Sequence, residues 1–242
     1  MEAKCGFCNL FGDKLHCGNC RLFNQAQAAF TPREIKCSVQ ELIKTCESDN
    51  VEEHFSVGDY KHIKLPYGGK IKLVLADIDK DTLEDGKSKA KTTWLIFGID
   101  GRYEIDSTDT EVPDSTYIKS KIHTKYMNMF KSLLPKPLAK ALKKVVKNCE
   151  SHDRYLSKTM VDNTFIDSLF VLSISEIYDV ADSYQQKYKY FDLISPDERN
   201  SMQTMTRSKR QGFRGDYFAL AGYGAITSSC GSFQPVILGC CI

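Results

Sequence analysis

No apolar run in this 242-residue chain approaches the roughly 20 residues needed to cross a bilayer. The opening Met1-Glu2-Ala3-Lys4-Cys5 has none of the hydrophobic core of a secretion signal. Both absences predict a protein made and folded in a cytosol, with no membrane among its partners. An excess of one charge is missing too: 33 Lys and Arg stand against 31 Asp and Glu, leaving +2, which provides no global pull toward nucleic acid or anionic lipid. Histidine is sparse, five in all: His16 precedes Cys17, and His54, His62, His123 and His152 are spread singly through strands and charged segments. No nucleophile, base and metal centre are gathered in a row, so the chain does not read as an enzyme. There is no internal repeat and no low-complexity tract.

What is present begins with two Cys-Gly-x-Cys pairs, Cys5-Gly6-Phe7-Cys8 and Cys17-Gly18-Asn19-Cys20. A two-residue gap lets both sulfurs of a pair turn inward on one bend, and four thiolates close a tetrahedral shell, so the expected cofactor is structural Zn2+ on Cys5, Cys8, Cys17 and Cys20. A segment this short buries too little apolar surface to order itself, whereas structural zinc supplies on the order of 10 kcal/mol. Disulfides or a thiol redox pair are the alternatives, and a reducing cytosol favours the metal. The remaining Cys37, Cys46, Cys149, Cys230, Cys240 and Cys241 are expected as mostly buried small apolar residues. With 42% hydrophobic and 11% aromatic residues, the rest of the chain can build a substantial core.

Residues 1–30 are thus expected as a zinc-ribbon module, 31–50 as a connecting helix and 51–242 as an α+β domain. Thr31-Pro32-Arg33-Glu34 reads as a capping box opening a helix with Ile35, Val39, Leu42, Ile43 and Cys46 on one stripe. Alternating runs at 54–59, 61–65 and 70–78 predict strands, the last two joined at Tyr67-Gly68-Gly69 as a hairpin, and Thr92 to Ile99 predicts another. From Tyr117 to about Asn148 the spacing predicts two helices meeting at Pro135 and Pro137, with Lys140, Lys143, Lys144 and Lys147 as a solvated basic face. A strand from Leu169 to Ser173 should run into a short helix, Ile174 to Asp182. Asp79 and Asp81 could be imagined on calcium, but a solvated turn is the expectation because further oxygen ligands are out of register. The closing third is rich in Gly, Ser, Tyr and Arg, with short strands near 217–220, 224–227 and 235–238.

Several pieces in a fixed order carry a resemblance. They are Phe55-Ser56-Val57-Gly58-Asp59, Ser120-Lys121-Ile122, the Leu134-Pro135 corner, and Phe170-Val171-Leu172-Ser173-Ile174-Ser175-Glu176-Ile177. Arg207-Ser208, Gly222-Tyr223-Gly224-Ala225-Ile226 and Gly231 to Ile237 follow. From about Val51 to Ile242 the chain resembles a family of uncharacterised domains found in phages, prophages and surface proteins of gut Firmicutes. The chain departs from that pattern at Thr204-Met205-Thr206, where the family has Trp-Trp, and at Gln234, where it has Arg.

The resemblance implies a C-type-lectin-like fold, related in its closing motifs to the formylglycine-generating enzymes. It implies a virion structural or accessory protein of a capsid, head, tail fibre or baseplate, synthesised in the bacterial host cytoplasm. Its partners would be other virion proteins or a host-surface glycan or protein, in a homo-oligomer or in multiple copies. The alternative is an intracellular zinc-ribbon regulator or nucleic-acid-binding protein, disfavoured because the module between Cys5 and Arg21 offers only Lys14 and Arg21 against Asp13. Gly-rich closing loops displaying tyrosines predict a partner-binding face of Arg207, Arg214, Tyr217, Tyr223 and Gln234. Phe218 and Phe233 are expected to point into the core instead.

Overall fold

A computed structural model describes residues 31–105, 117–211, 216–221, 224–229, 231–232 and 234–242. The four cysteines of the expected zinc module, and Arg214 and Tyr223 of the expected partner face, lie outside them. The described chain is α+β, built on two five-stranded sheets.

The first sheet takes β1 (Tyr60–Lys64), β2 (Lys70–Ile78) and β3 (Thr92–Phe97) as an antiparallel meander. The closing strand β10 (Leu238–Cys241) inserts between β3 and β6 (Leu169–Val171), antiparallel to both. In β3 the run from Thr92 to Ile96 is buried without alternation, the pattern of a strand covered on both faces. Gly239 faces Phe170 across the β10–β6 pair, and a Cβ there would stand 2.2 Å from the Phe170 ring. Only glycine lets these strands approach so closely.

The second sheet has the order β5-β4-β7-β8-β9, from β4 (Val145–His152), β5 (Thr159–Asp167), β7 (Thr204–Arg210), β8 (Asp216–Ala221) and β9 (Gly224–Ser229). All neighbours are antiparallel except β4 and β7, which pair in parallel at Ser151↔Lys209 and His152↔Arg210. One cluster of buried apolar side chains runs through both sheets, from Leu73 and Trp94 to Cys149 and Phe218. Backbone bonds from Val146 to Thr82 and from Arg207 to Leu172, at 2.8 and 2.9 Å, tie the sheets together. No described helix is long and apolar enough to cross a membrane.

Several local expectations are corrected. The first helix among the described residues is Val39–Cys46, capped by Ser38 with a reciprocal Glu41 box. The segment carrying Thr31 is extended instead, with Ile35 N–H bonded to Tyr60 O at 2.7 Å. Residues 55–59 form a turn, not a strand. Its Asp59 carboxylate accepts from the Arg33 and Ser56 amides and from the Arg33 guanidinium. The helical run ends at Ala141, and β4 begins at Val145. Leu138, Leu142, Val145 and Val146 satisfy a helical stripe on paper, but Val145, Lys147 and Cys149 also alternate, and pairing with β5 along eight positions decides for the strand. Residues 174–178 make a single turn in place of the expected helix, with Tyr178 N–H bonded to Ile174 O. The helices before β4, Met127–Leu133 and Lys136–Ala141, do break at Leu134-Pro135 as expected.

Candidate functional site

Two clusters of charged side chains stand out, one sealed between the sheets and one open. The sealed cluster centres on Glu176. Ser173 and Glu176 form a reciprocal box: Ser173 N–H donates to Glu176 Oε2 at 2.8 Å and Glu176 N–H to Ser173 Oγ at 3.2 Å. The turn therefore aims the carboxylate into the core. Arg207 from β7 meets it in a fork, Nη1 to Oε2 at 2.8 Å and Nη2 to Oε1 at 3.0 Å. Arg207 also donates from Nε to Asn148 O, from Nη1 to Val171 O and from Nη2 to Gln185 Oε1, so all five guanidinium protons are used.

Lys147 from β4 donates to Glu176 Oε1 and to Tyr188 OH, both at 2.7 Å, and to Asp81 Oδ1, which uses all three ammonium protons. Asp81 Oδ2 accepts from Thr93 at 2.7 Å and from Tyr188 at 3.1 Å. The ammonium sits 4.0 Å above the Phe170 ring, a cation–π contact. Two cations thus balance two carboxylates. Burial pushes the Glu176 carboxyl up, but Arg207 and Lys147 outweigh it and hold the group well below the usual range. Burial disfavours charge on Lys147 as well, yet Asp81 and Glu176 raise its affinity for the proton. Tyr188 is raised by burial and by the same two carboxylates, which keeps its proton in the network. A cavity of about 350 Å³ opens beside Asp81, Asn148, Glu176 and Gln185. Because the cations beneath it are saturated, the cluster is a clamp between sheets, not a set of groups presented to a ligand.

Beside it lies Glu150, fully buried, accepting from Ser175 and Ser183 hydroxyls and from the Tyr184 and Gln185 amides. His152 is buried next to it. Thr159 Oγ1 gives its proton to Ala181 O at 2.8 Å and therefore accepts from His152 Nδ1 at 3.0 Å. The neutral ring then turns the Nε2 lone pair, which has no hydrogen-bond partner, toward Glu150 Oε2 at 3.7 Å. Desolvation lowers this histidine to about 4.

The open cluster lies where β5 ends. The backbone from Ile122 to Tyr126 is a π-turn, in which Met127 N–H reaches back to Ile122 O. Such insertions are frequent at functional sites. This one brings His123 Nδ1 within 3.0 Å of Ile118 O and Nε2 within 3.0 Å of Asp167 Oδ2. Both oxygens only accept, so a ring carrying two protons donates to both. The helix Met127–Leu133 then carries Asn128 and Lys131 along the same side, and Lys131 Nζ donates to Ser168 Oγ at 2.9 Å. These groups line an open groove of about 420 Å³, with Met127 and Ile166 as an apolar wall. Ile166 is 51% exposed.

Of the residues expected to recognise a partner, the described ones, Arg207, Tyr217 and Gln234, do not form one exposed surface. Arg207 is 1% exposed and belongs to the clamp, and Tyr217 is 1% exposed and faces the core from β8. Both are corrected from surface to interior; the physical reason is that β7, which carries Arg207, and β8, which carries Tyr217, both lie inside the sheet and not at its edge, with these side chains turned into the core. Gln234 is half-buried and exchanges backbone bonds with Tyr103 at 2.8 and 2.9 Å. Phe218 points inward as expected. Lys147 and Asp81, expected on a solvated helix face and in a solvated turn, are instead paired inside the protein. Among the described residues, no group of three or more His, Cys, Asp or Glu could hold a metal ion.

Sequence reading missed both clusters. The Ser173-x-x-Glu176 box was a legible signal for one, and His123 followed by Lys131 two turns on was a faint signal for the other. Comparison with family models, curated proteins and solved structures found no match to this chain.

Proposed function

We propose that the chain is a non-catalytic recognition module of a phage particle, with a C-type-lectin-like domain joined to a zinc-bearing docking segment. The observation that carries this reading is the contrast in donor use. The buried cations spend every proton on holding the sheets, while Lys131, Asn128 and Ser168 converge on an open groove with donors to spare. Thiol chemistry of the formylglycine type is not supported by the closing cysteines. Cys240 and Cys241 are fully buried and burial raises both thiols far above their ordinary value, opposite to what a working thiolate needs.

The docking segment rests on donor chemistry alone: four thiolates at closed-site spacing would hold one structural zinc. Metal analysis of the full chain beside a Cys5→Ser, Cys17→Ser variant tests it, and equal zinc in both would place the metal elsewhere. The recognition reading is tested by mass spectrometry of purified particles, and by their attachment to host cells when the chain carries Lys131→Ala with Asn128→Ala. Presence in the particle and lost attachment are expected. A chain absent from particles overturns the reading.

A further inference from the structure

Resting on that recognition reading, we propose that the groove between the helix Met127–Leu133 and the end of β5 is a carboxylate-binding site, with Lys131 and Ser168 as the clamp. Lys131 spends one ammonium proton on Ser168 Oγ, leaving two of its three for a ligand. Ser168 is only 5% exposed, and its own hydroxyl proton has no acceptor among the described residues. Two donors stand side by side, 2.9 Å apart, one charged and one nine-tenths buried, so one planar anion can accept from both, and the ammonium makes its bond charge-assisted. The groove's 420 Å³ falls within the range of about 300–1,000 Å³ typical of small-molecule sites.

The surrounding charges set the ligand's valence. Asp167 lines the same groove one residue before Ser168 and disfavours a second negative charge, which selects a monoanionic carboxylate over a phosphate dianion. His123 holds Asp167 Oδ2, and the Ser168 amide holds Asp167 Oδ1 at 2.9 Å, so both carboxylate oxygens already have a partner, and none of those bonds uses the Lys131 ammonium or the Ser168 hydroxyl. Met127 and Ile166 supply an apolar wall for the ligand's carbon skeleton, and Asn128 a side-chain amide for its hydroxyls. Carboxylate is the shared chemistry of two sources, a sugar acid and an aliphatic acid.

Isothermal titration of the full chain at low salt with glucuronate, pentanoate and glucose separates them. Binding of at least one of the two carboxylates, without binding of glucose, is expected; glucuronate alone points to a sugar acid and pentanoate alone to an aliphatic one. Lys131→Ala should weaken binding by at least about 10-fold and Ser168→Ala by several-fold, the range for a charge-assisted and a neutral hydrogen bond. Lys131→Arg should keep it, and Asp167→Asn should strengthen it. Equal binding of glucose and glucuronate, unchanged binding in a folded Lys131→Ala variant, or no binding of either carboxylate at about 10 mM overturns the assignment. If carboxylates fail to bind while Lys131→Ala with Asn128→Ala still abolishes attachment, the carboxylate inference falls and the recognition reading stands. If carboxylates bind but the chain is absent from particles, the reverse holds.

Discussion

The Glu176 clamp and the Lys131 groove use the same side-chain chemistry for opposite ends. Both put a lysine next to a carboxylate and a hydroxyl, and both sit against apolar side chains. In the clamp, Lys147 and Arg207 have no proton left and lie against the aromatic ring of Phe170. In the groove, Lys131 is half-exposed and bonded once. The difference teaches that the number of unspent donors, rather than the presence of charge, separates a structural cluster from a binding one. Desolvation explains why. A buried ion that is not fully paired costs several kcal/mol, so the interior tolerates charge only when it is completely answered, whereas a half-wet lysine keeps protons on water at little cost.

The largest expected effect breaks the clamp. Arg207→Ala leaves Glu176 with Lys147 as its only cation and strands acceptors at Asn148, Val171 and Gln185. Removing one partner of a buried pair costs about 3–5 kcal/mol, which for a chain of this size lowers Tm by roughly 6–20 °C. Thermal melts of the parent and variant check this. A loss below about 1 kcal/mol would mean the clamp is not the link between sheets.

The clamp also shows how far sequence reading reached. The Ser173-x-x-Glu176 box is local, and a helix start was legible there because a three-residue spacing fixes both hydrogen bonds. What Glu176 does next depends on Lys147 and Arg207, 29 and 31 residues away in the chain, and no periodicity encodes such a meeting. Lys147 was hidden by its neighbours: Lys140, Lys143 and Lys144 share its spacing, and the latter two do pair on the surface, with Glu47 and Glu84. β7 was hidden for a related reason. Thr204 to Ser208 is polar except at Met205, yet every residue is buried, Met205 in the apolar core and each polar side chain on a hydrogen-bond partner inside. The hydrophobic strands β2 and β3 were legible because apolar burial needs no named partner. Of the groove, the proline corner was legible, but the π-turn that turns His123 toward Asp167 has no sequence signature of its own.

The next effect is a pH dependence beside the clamp. His152 is neutral when folded down to about pH 4 and titrates near 6.5 when unfolded. Between those values the unfolded chain binds more protons, so stability is full above about pH 6.5 and falls as the pH drops toward 4. The ceiling on that loss is about 3 kcal/mol, reduced by the attraction a protonated ring gains from Glu150 at 3.7 Å. Denaturant melts from pH 4 to 7 should show the slope in the parent and a flatter profile in His152→Phe. Identical slopes would assign the acid sensitivity to the carboxylates.

A smaller effect tests whether the clamp is transmitted through packing. Gly239→Ala drives a methyl toward Phe170, whose ring lies under the Lys147 ammonium. Overpacking of this kind costs about 1–3 kcal/mol. Paired with Arg207→Ala it should be non-additive, because both act on one network. Simple additivity in a double-mutant cycle would show that Phe170 yields without disturbing Lys147.

The smallest expected effect on stability is Lys131→Ala, and its smallness is the point of the comparison. Lys131 makes one hydrogen bond, to Ser168, at the rim of an open groove, and the Ser168 amide still donates to the Asp167 carboxylate without it. Surface interactions of this kind contribute about 0–1 kcal/mol, and removing a half-exposed ammonium strands no fully buried charge. The melting temperature should therefore stay within about 2 °C of the parent, while ligand affinity falls. Lys147→Ala, the same substitution sixteen residues on, should cost several kcal/mol. If the two variants were equally destabilised, the distinction between spent and unspent donors would fail, and the groove would have to be reassigned as a second structural contact between the helix and β5.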